Sequence, residues 1–291
     1  MKILNIGSIN IDYVYEVDDF VTSGETIPSK NFQTFLGGKG LNQSVSLAHA
    51  GAKVYHAGNI NSKDNFIIEE LKKWNVNTKY INEIEESTGH AIIQINKDGE
   101  NSIIIHGGAN RKITSNQIDS ILENFNNQDI LLIQNEINKI PEIINKASER
   151  GMKIFFNPAP MTNKVSTYPI SLIDCLIVNE SEANKLTGIK GNNNQTINSI
   201  KKKYPNTTIL LTLGKKGSIY FDKNSYKKCK AVKVKAIDTT AAGDTFIGYF
   251  LTLFSKEKKL EDCLKMASIA AAKCVTKKGG AISIPKNNCT N

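Results

Sequence analysis

Residues 238–246 read DTTAAGDTF and place the carboxylate of Asp244 directly after a run of small residues. Before this stretch, KAVKVKAI at 230–237 alternates lysine with apolar residues, which predicts a half-buried strand. After it, segment 246–254 has apolar residues at i, i+3, i+4, i+7 and i+8, the stripe of an amphipathic helix. We therefore expect a strand-to-helix turn whose free N–H groups hold an anion beside Asp244. A plain helix cap is the alternative interpretation, because Asp is common in first helical turns.

A second glycine-rich stretch, LGGKGLNQS, spans residues 36–44. It lacks the spacing of a P-loop, and it lacks the third glycine of a dinucleotide-binding turn. A helix is predicted from Leu41 to Ala50. The backbone at Gly38 and the amide of Asn42 could therefore hold a hydroxylated ligand at the helix start. The alternative is a glycine-rich turn without a ligand.

Polar residues at predicted strand ends suggest a pocket for vicinal hydroxyls. Asn10 and Asp12, in GSINID, share one face of the predicted first strand, at its carboxyl end. Glu136 follows another predicted strand. Each alone could be an ordinary strand-end residue, but ligands bind at the carboxyl ends of parallel strands. The predicted pocket has two carboxylates and no arginine, which also favours a neutral sugar over a sugar phosphate as the acceptor.

Apolar runs and helical patterns alternate along much of the chain. Strands are predicted at 3–9, 54–60, 129–134, 153–157, 174–179 and 208–214. Helices are predicted at 63–74, 114–125 and 139–150. This order indicates an α/β fold, with a mainly parallel central sheet covered by helices on both faces.

Two regions break the alternation and predict a small β-sheet. Residues 13–35 have no helical period, and residues 88–106 resemble a hairpin with KDGEN as its turn. The sheet could be a lid over the ligand, or an extension without a role in binding. Its exposed edge could pair with a second chain, so we expect a homodimer. KGNNNQ at 190–195 is predicted to be a surface loop.

Composition excludes several classes of function. The chain has 291 residues, 40% of them hydrophobic and 22% charged, as in ordinary globular proteins. The net charge of +9 comes from scattered lysines rather than one basic stripe, which argues against nucleic-acid binding. The five cysteines show no zinc-ligand spacing and predict neither a disulfide framework nor a zinc site. With no signal peptide and no membrane-spanning stretch apparent, we expect a cytoplasmic protein.

Six motifs occur in an order that resembles the ribokinase-like carbohydrate kinase family. They are GSINID, GGKGLNQS, NPAP at 157–160, NESEA at 179–183, TLGKKG at 212–217 and DTTAAGDTF. The resemblance extends from Ile3 to about Pro285. It implies one α/β domain over residues 1–291, with the lid sheet inserted from about 10–36 and 78–108. It also implies ATP-dependent phosphorylation of the primary hydroxyl of D-ribose, giving D-ribose 5-phosphate and ADP.

The resemblance implies a role for each matching residue. Asp244 would be the catalytic base. The implied anion hole is made by Ala241, Ala242 and Gly243. The implied sugar-binding residues are Asn10, Asp12, Gly38, Lys39, Gly40, Leu41, Asn42, Glu136 and Asp244. The implied ATP-binding residues are Asn179, Thr212, Leu213, Gly214, Lys215, Lys216, Gly217, Gly243, Asp244 and Ser268.

Two cations are implied in the same way. Glu182 would organise Mg²⁺ through water. A monovalent-cation site for K⁺ would be formed by Asp238, Thr240, Cys274, Lys277, Gly279 and Ser283. Cys274 and Lys277 depart from the side chains usual there, but carbonyl oxygens would do the coordinating.

Other departures leave alternatives open. Ser268 stands where the family often has His or Asn near the adenine, and His90 replaces a usual apolar lid residue, which would loosen sugar specificity. The acceptor could be deoxyribose, fructose or a nucleoside such as adenosine. A nucleoside would need an apolar slot, for which Tyr13, Tyr15, Phe20, Phe32 and Phe35 are the candidate walls. A non-catalytic sugar sensor is the remaining alternative.

Overall fold

A nine-stranded sheet forms the centre of the computed structural model, which describes residues 1–189 and 193–286. Its strands, in spatial order, are β13 (Tyr226–Cys229), β12 (Ser218–Phe221), β11 (Thr208–Thr212), β10 (Cys175–Asn179), β9 (Lys153–Asn157), β8 (Ile130–Gln134), β1 (Ile3–Ile6), β4 (Val54–Asn61) and β5 (Asn77–Ile84). From β11 to β5 all neighbours are parallel, whereas β12 and β13 are antiparallel. The parallel strands therefore end at one common edge.

Helices cover both faces of this sheet. They are α1 (Lys39–His49), α2 (Phe66–Lys73), α3 (Ser115–Leu122), α4 (Ile140–Glu149), α5 (Glu180–Thr187), α6 (Asn193–Lys203), α7 (Ala242–Ser255) and α8 (Leu260–Cys274). One core contains apolar side chains of α1, α2, α7 and α8, and the other contains those of α3, α4, α5 and α6. Successive strand residues point to opposite cores, as Ile3 and Leu4 do. The expected fold class is confirmed.

A second, four-stranded sheet has the order β3-β2-β6-β7. Its strands are β2 (Asn10–Glu16), β3 (Asn31–Gly37), β6 (Gly89–Ile95) and β7 (Asn101–His106). We call it the small sheet. Its second segment begins at Gly89, not at about 78 as expected, because β5 pairs with β4 in the main sheet.

Close packing of α1 against α7 brings the two glycine-rich motifs together. Gly248 on α7 lies against α1 so closely that an added Cβ would be 2.2 Å from Ser46 Oγ. Ser46 Oγ also donates to the carbonyl of Thr245 at 2.9 Å. These contacts hold the first turns of the two helices side by side at the sheet edge.

Two local predictions differ from the structure. Residues 230–237 form no strand, and most of them are exposed. The alternation of lysine with valine there reflects an exposed irregular segment, while the shorter strands β12 and β13 complete the sheet. Of the predicted loop at 190–195, residues 190–192 lie outside the described residues and 193–195 begin α6. In the described part of the chain, no helix is long and apolar enough to cross a membrane.

Candidate active site

A cleft of about 660 Å³ lies between the edge of the main sheet and the small sheet. It gathers residues from the two glycine-rich motifs and from several strand ends. The predicted site residues that line it are Asn10, Asp12, Gly38, Lys39, Asn42, Glu136, Asn179, Glu182, Thr212, Asp238, Thr240, Ala241, Gly243, Asp244 and Gly279. The structure thus brings most of the predicted sugar-binding residues into one space with Asp244.

Asp244 lies in the first turn of α7 and is only 7% exposed. Gln43 Nε2 donates to its Oδ1 at 2.8 Å, and Asn42 Nδ2 donates to its Oδ2 at 3.2 Å. Both donors are on α1, so the close packing of α1 and α7 is what fixes the carboxylate. Two charge-assisted hydrogen bonds therefore hold this carboxylate in one orientation.

The turn before Asp244 has the features of an anion site. Ala241 precedes α7 with φ of 59°, a left-handed conformation that is uncommon for a residue with a side chain. Gly243 borders open space, since a Cβ added there would have no atom within 4 Å, and its first-turn N–H has no intrahelical acceptor. Ala242 differs from expectation, because it does not line the cleft and its N–H donates to Thr239 O at 3.3 Å.

Asn10 and Asp12 point into the cleft from the start of β2, not from the end of β1 as expected. β1 ends at Ile6, and the chain turns before it enters the small sheet. Asn110 Nδ2 donates to Asn10 Oδ1 at 2.8 Å and so fixes the orientation of that amide. Burial, together with the charge of Glu136, raises the pKa of Asp12 to about 6.

Glu136 connects the sugar side of the cleft to α1. Its Oε2 accepts from Ser8 Oγ at 2.5 Å and from the main-chain N–H of Lys39 at 2.9 Å. The carboxylate of Asp244 raises the pKa of Lys39, burial lowers it, and Glu136 and Glu182 raise it further. Lys39 is therefore a cation held among carboxylates.

Within the rest of the GGKGL motif, Gly38 lines the cleft, whereas Gly40 and Leu41 pack away from it. Gly38 has φ of 89° and lines the cleft, so glycine suits its backbone conformation. Gly40 lies against the first loop, where an added Cβ would be 2.3 Å from Ser8 N. Leu41 is fully buried in the core, and its N–H donates to Ser8 O at 2.8 Å. Leu41 thus differs from the expectation of a sugar contact, since it does not line the cleft.

The predicted nucleotide side lies at the ends of β10 and β11, where Asn179 and Thr212 are paired in register. Asn179 Oδ1 accepts from the N–H of Glu182 at 2.8 Å, and Glu182 Oε2 accepts from the N–H of Asn179 at 2.9 Å. This capping box uses one carboxylate oxygen of Glu182 and leaves the other. Burial raises the pKa of Glu182, and the N–H of Asn179 opposes that shift.

The remaining nucleotide residues flank the cleft without lining it. Leu213 N donates to Gly217 O at 2.8 Å, which closes a tight turn after β11. An added Cβ on Gly217 would be 1.9 Å from Cys229 O, so this turn lies directly against β13. Ser268, on α8, is buried with its Oγ 3.7 Å from Cys229 Sγ. The members of this group outside the cleft are Leu213, Gly214, Lys215, Lys216, Gly217 and Ser268.

The predicted monovalent-cation residues form one cluster behind the anion turn. Asp238 accepts from the N–H of Thr240 at 2.8 Å and from the N–H of Gly279 at 2.9 Å. Cys274 Sγ lies 3.1 Å from Ser283 Oγ. The N–H of Lys277 donates to the carbonyl of Cys274 at 3.1 Å, which ties Lys277 to this cluster. Carboxylate, hydroxyl and main-chain oxygens are donors that suit a hard cation.

His90 does not face the cleft, contrary to expectation. Ala91 lines the cleft, and strand alternation therefore puts His90 on the opposite face of the small sheet. There its ring lies 6.0 Å from that of Tyr13 and 5.0 Å from that of His106. Tyr13, Tyr15 and Phe32 pack together on this outer face. Of the proposed aromatic walls, Phe35 lines the cleft.

The model of the pfkB family carbohydrate kinases matches residues 1–287. This chain belongs to the pfkB family. The ribokinase of Staphylococcus aureus (strain COL) is 36% identical to it over 98% of this chain and 96% of the relative. The deoxyribokinase of Salmonella typhi is 30% identical over 98% and 96% of the two chains. A solved structure of Arabidopsis thaliana ribokinase complexed with ribose and ATP has a TM-score of 0.86 and 30% identity, covering 98% and 95%. The chain is therefore an ATP-dependent carbohydrate kinase.

Several polar residues of this pfkB cleft were missed from the sequence. Their side chains hydrogen-bond to the predicted residues or to one another, and Asn157 also lines the cleft. They are Asn5, Ser8, Gln43, Asn110, Gln134 and Asn157. Gln43 adjoins Asn42 in the glycine motif, and Asn157 begins the NPAP motif. Their positions in those motifs were the available signal.

Proposed function

We propose that the chain transfers the γ-phosphoryl group of ATP to the primary hydroxyl of D-ribose. The observation that carries the proposal is the convergence of Asn10, Asp12 and Asn42 with the carboxylate of Asp244 in one cleft. Amide and carboxylate groups suit neutral hydroxyls. Asp12 and Glu136 also disfavour an anionic acceptor. The similarity to ribokinases over nearly the whole chain supports the same substrate.

Asp244 acts on the attacking hydroxyl, and the turn before it acts on the phosphate. The sugar oxygen bonds to the γ-phosphorus while the bond from that phosphorus to the β–γ bridging oxygen breaks. ADP leaves with the electron pair, and the hydroxyl proton goes to Asp244. The N–H of Gly243 and the backbone at Ala241 stabilise the charge on the phosphoryl oxygens. Because a carboxylate is a weak base towards an alcohol, orientation of the hydroxyl contributes more than basicity.

The residues fit the two cations that the family implies. Glu182 keeps one carboxylate oxygen for the water shell of Mg²⁺, which when bound neutralises charge on the transferred phosphoryl group. The oxygen cluster around Asp238 fits K⁺, with the carbonyls of Thr240, Cys274 and Gly279 and the hydroxyl of Ser283 as donors. Asp238 accepts hydrogen bonds from the N–H groups of Thr240 and Gly279, and the bond to Thr240 connects the cluster to the turn before Asp244.

Among the alternative acceptors, deoxyribose is favoured over a nucleoside. A deoxyribokinase is among the relatives at 30% identity, and its sugar differs from ribose by one hydroxyl. A nucleoside needs a slot for its base, but Tyr13, Tyr15 and Phe32 pack on the outer face of the small sheet. Of the candidate aromatic walls, Phe35 faces the cleft, beside aliphatic side chains such as Ile93 and Ile105.

The test is ADP release from MgATP with D-ribose, 2-deoxyribose, D-fructose and adenosine as separate acceptors, in potassium and then in sodium buffer. We expect the highest kcat/KM with D-ribose, and activation by potassium. Preference for another acceptor would keep the kinase and reject the substrate. No turnover with any acceptor would favour a sugar sensor.

Asp244→Asn tests the role of the base. The variant keeps the shape of the side chain but cannot accept the proton, so we expect kcat to fall by about 10²–10⁴-fold. Sugar affinity, measured by calorimetry, should change little, because the other hydroxyl contacts remain. Turnover close to that of the parent enzyme would remove Asp244 from the mechanism.

We also propose a homodimer formed through the small sheet, in the cytoplasm, where free sugar and ATP are available. On the outer face of this sheet Ile104 is 64% exposed, Ile92 beside it is 39% exposed and Phe32 is 49% exposed. Apolar side chains exposed together on one face of a sheet are typical of a surface that another chain covers. A monomeric mass by light scattering at working concentration would contradict this assembly.

A further inference from the structure

Buried amide side chains form a chain of hydrogen bonds that ends at Asp244 and that the mechanism above does not use. Its members are Asn5 on β1, Gln134 on β8, Asn157 on β9 and Gln43 on α1. Each is at most 6% exposed. Four buried amides cost free energy unless they are paired. Every polar side-chain atom of the four has a hydrogen-bond partner except Gln134 Oε1.

One end of the chain is fixed by a main-chain carbonyl. Asn157 Nδ2 donates to Ile177 O at 2.9 Å, and a carbonyl can only accept. The Oδ1 of Asn157 must therefore face Gln43, whose Nε2 donates to it at 3.1 Å. This contact alone requires that the nitrogen of Gln43, not its oxygen, points towards Asn157.

The other end is fixed in the same way. Asn5 Nδ2 donates to Gly40 O at 2.7 Å and to Ser44 Oγ at 2.8 Å, so Asn5 Oδ1 faces Gln134. Gln134 Nε2 donates to Asn5 Oδ1 at 3.0 Å and to Gln43 Oε1 at 2.6 Å. Both ends thus specify one orientation of the Gln43 amide, with its oxygen towards β8.

In that orientation the second N–H of the Gln43 amide is available to Asp244, the proposed catalytic base. Gln43 Nε2 bonds Asp244 Oδ1 at 2.8 Å, and a flipped amide would put its oxygen against this carboxylate. A flip would also break the bonds to Asn157 and Gln134. Three strands of the main sheet therefore determine, through Gln43, where the carboxylate of Asp244 lies.

We propose that Gln43 is a positioning residue for Asp244, an inference that rests on the proposed function. Gln43 holds Oδ1, so the carboxylate plane is fixed and Oδ2 is presented to the sugar hydroxyl beside Asn42. Preorganised geometry matters here because misplacement of a reacting group by about 1 Å can cost 10²-fold in rate.

The test compares Gln43→Met with the parent enzyme. Methionine is unbranched and similar in length but cannot donate a hydrogen bond. We expect kcat to fall by roughly ten- to a hundredfold, the loss typical of a hydrogen bond to a charged group. The Kd for D-ribose and the KM for ATP should change less than about threefold, because Gln43 contacts neither in the proposed mechanism.

Gln134→Met and Gln117→Met are the matched variants. Gln134 acts one bond further away, and Asn157 still orients the Gln43 amide after its loss, so kcat should fall by a smaller factor. Gln117 on α3 makes a similar amide bond to Asn59 Oδ1 at 2.8 Å but has no path to Asp244. Its replacement should leave kcat unchanged.

Whether the parent enzyme phosphorylates a sugar distinguishes a failure of the proposed kinase function from a failure of the positioning role of Gln43. If the parent phosphorylates a sugar and Gln43→Met keeps a normal kcat, the positioning role is refuted and the kinase stands. A parallel loss of sugar affinity and kcat would also refute it, since that is the effect of a general structural defect. If Gln43→Met does not fold, Gln134→Met decides by the same two measurements. A parent without sugar turnover would overturn both proposals.

Discussion

Sugar affinity should fall when the carboxyl of Asp12 becomes protonated. Burial and the charge of Glu136 raise the pKa of Asp12 from 3.8 to about 6. If the ionised form alone accepts the sugar hydroxyls, the apparent Kd is multiplied by one plus ten to the power of pKa minus pH. That factor is about 11 at pH 5 and about 1.1 at pH 7. We therefore expect D-ribose to bind about tenfold more weakly at pH 5 than at pH 7.

The assay is calorimetric titration with D-ribose, without nucleotide, at several pH values between 5 and 8. At pH 5 the binding of sugar to the ionised carboxyl should also release close to one proton, which is detected by changing the ionisation enthalpy of the buffer. Asp12→Asn cannot titrate, so this variant should bind more weakly at pH 7 and show a flat pH dependence.

Equal affinity at pH 5 and pH 7 would refute the reasoning, because Asp12 would then not bind the sugar as a carboxylate. The same slope in Asp12→Asn would also refute it and would assign the titration to another group. Glu182, whose pKa is also raised, faces the nucleotide side, and the variant separates its contribution.

Two further predictions concern stability. The pKa of Asp12 is higher in the folded than in the unfolded protein, so the free energy of unfolding of the parent enzyme falls as pH rises from about 4 to 6. Asp12→Asn should therefore be about 1–3 kcal/mol more stable than the parent enzyme at pH 7. Urea unfolding at pH 7 and pH 4 checks this, and an advantage that persists unchanged at pH 4 would contradict it. Gly40→Ala should lose about 1–3 kcal/mol, since the new Cβ would be 2.3 Å from the main-chain nitrogen of Ser8. Gly243→Ala should keep the melting temperature of the parent enzyme, because no atom lies within 4 Å of the new Cβ, but its kcat should fall. Equal melting temperatures for Gly40→Ala and Gly243→Ala would contradict this prediction.

The sequence was sufficient for the parts of the molecule that depend on local pattern. Continuous apolar runs such as 129–134 are buried on both faces and became parallel strands. The stripe after Asp244 became α7, and the small residues before it form the turn at the start of that helix. The glycine motif preceded α1 as expected, because glycine at 38 permits its positive φ.

Features that depend on distant contacts were not predictable in this way. A strand places alternate residues on opposite faces, so the face of His90 follows from its register with β2, which the sequence does not state. Gln43 and Asp244 are 201 residues apart, and only the packing of α1 against α7 brings their side chains together. Residues 230–237 alternate like a strand, yet no strand of the described chain pairs with them.

The electrostatic balance of the cleft follows from where three helices begin. The acidic residues that line the cleft are Asp12, Glu16, Glu136, Glu182, Asp238 and Asp244. The triphosphate of ATP would add further negative charge, which Lys39 and Lys278 do not offset. The helices α1, α5 and α7 all start at this edge, and the positive end of a helix dipole stabilises anions. Glu136 already accepts the N–H of Lys39 at the start of α1, and the carboxylate of Glu182 accepts the N–H of Asn179 at the start of α5. The first turn of α7, by contrast, borders open space at Gly243. This contrast supports the proposal that the cleft accepts a phosphoryl group at the start of α7.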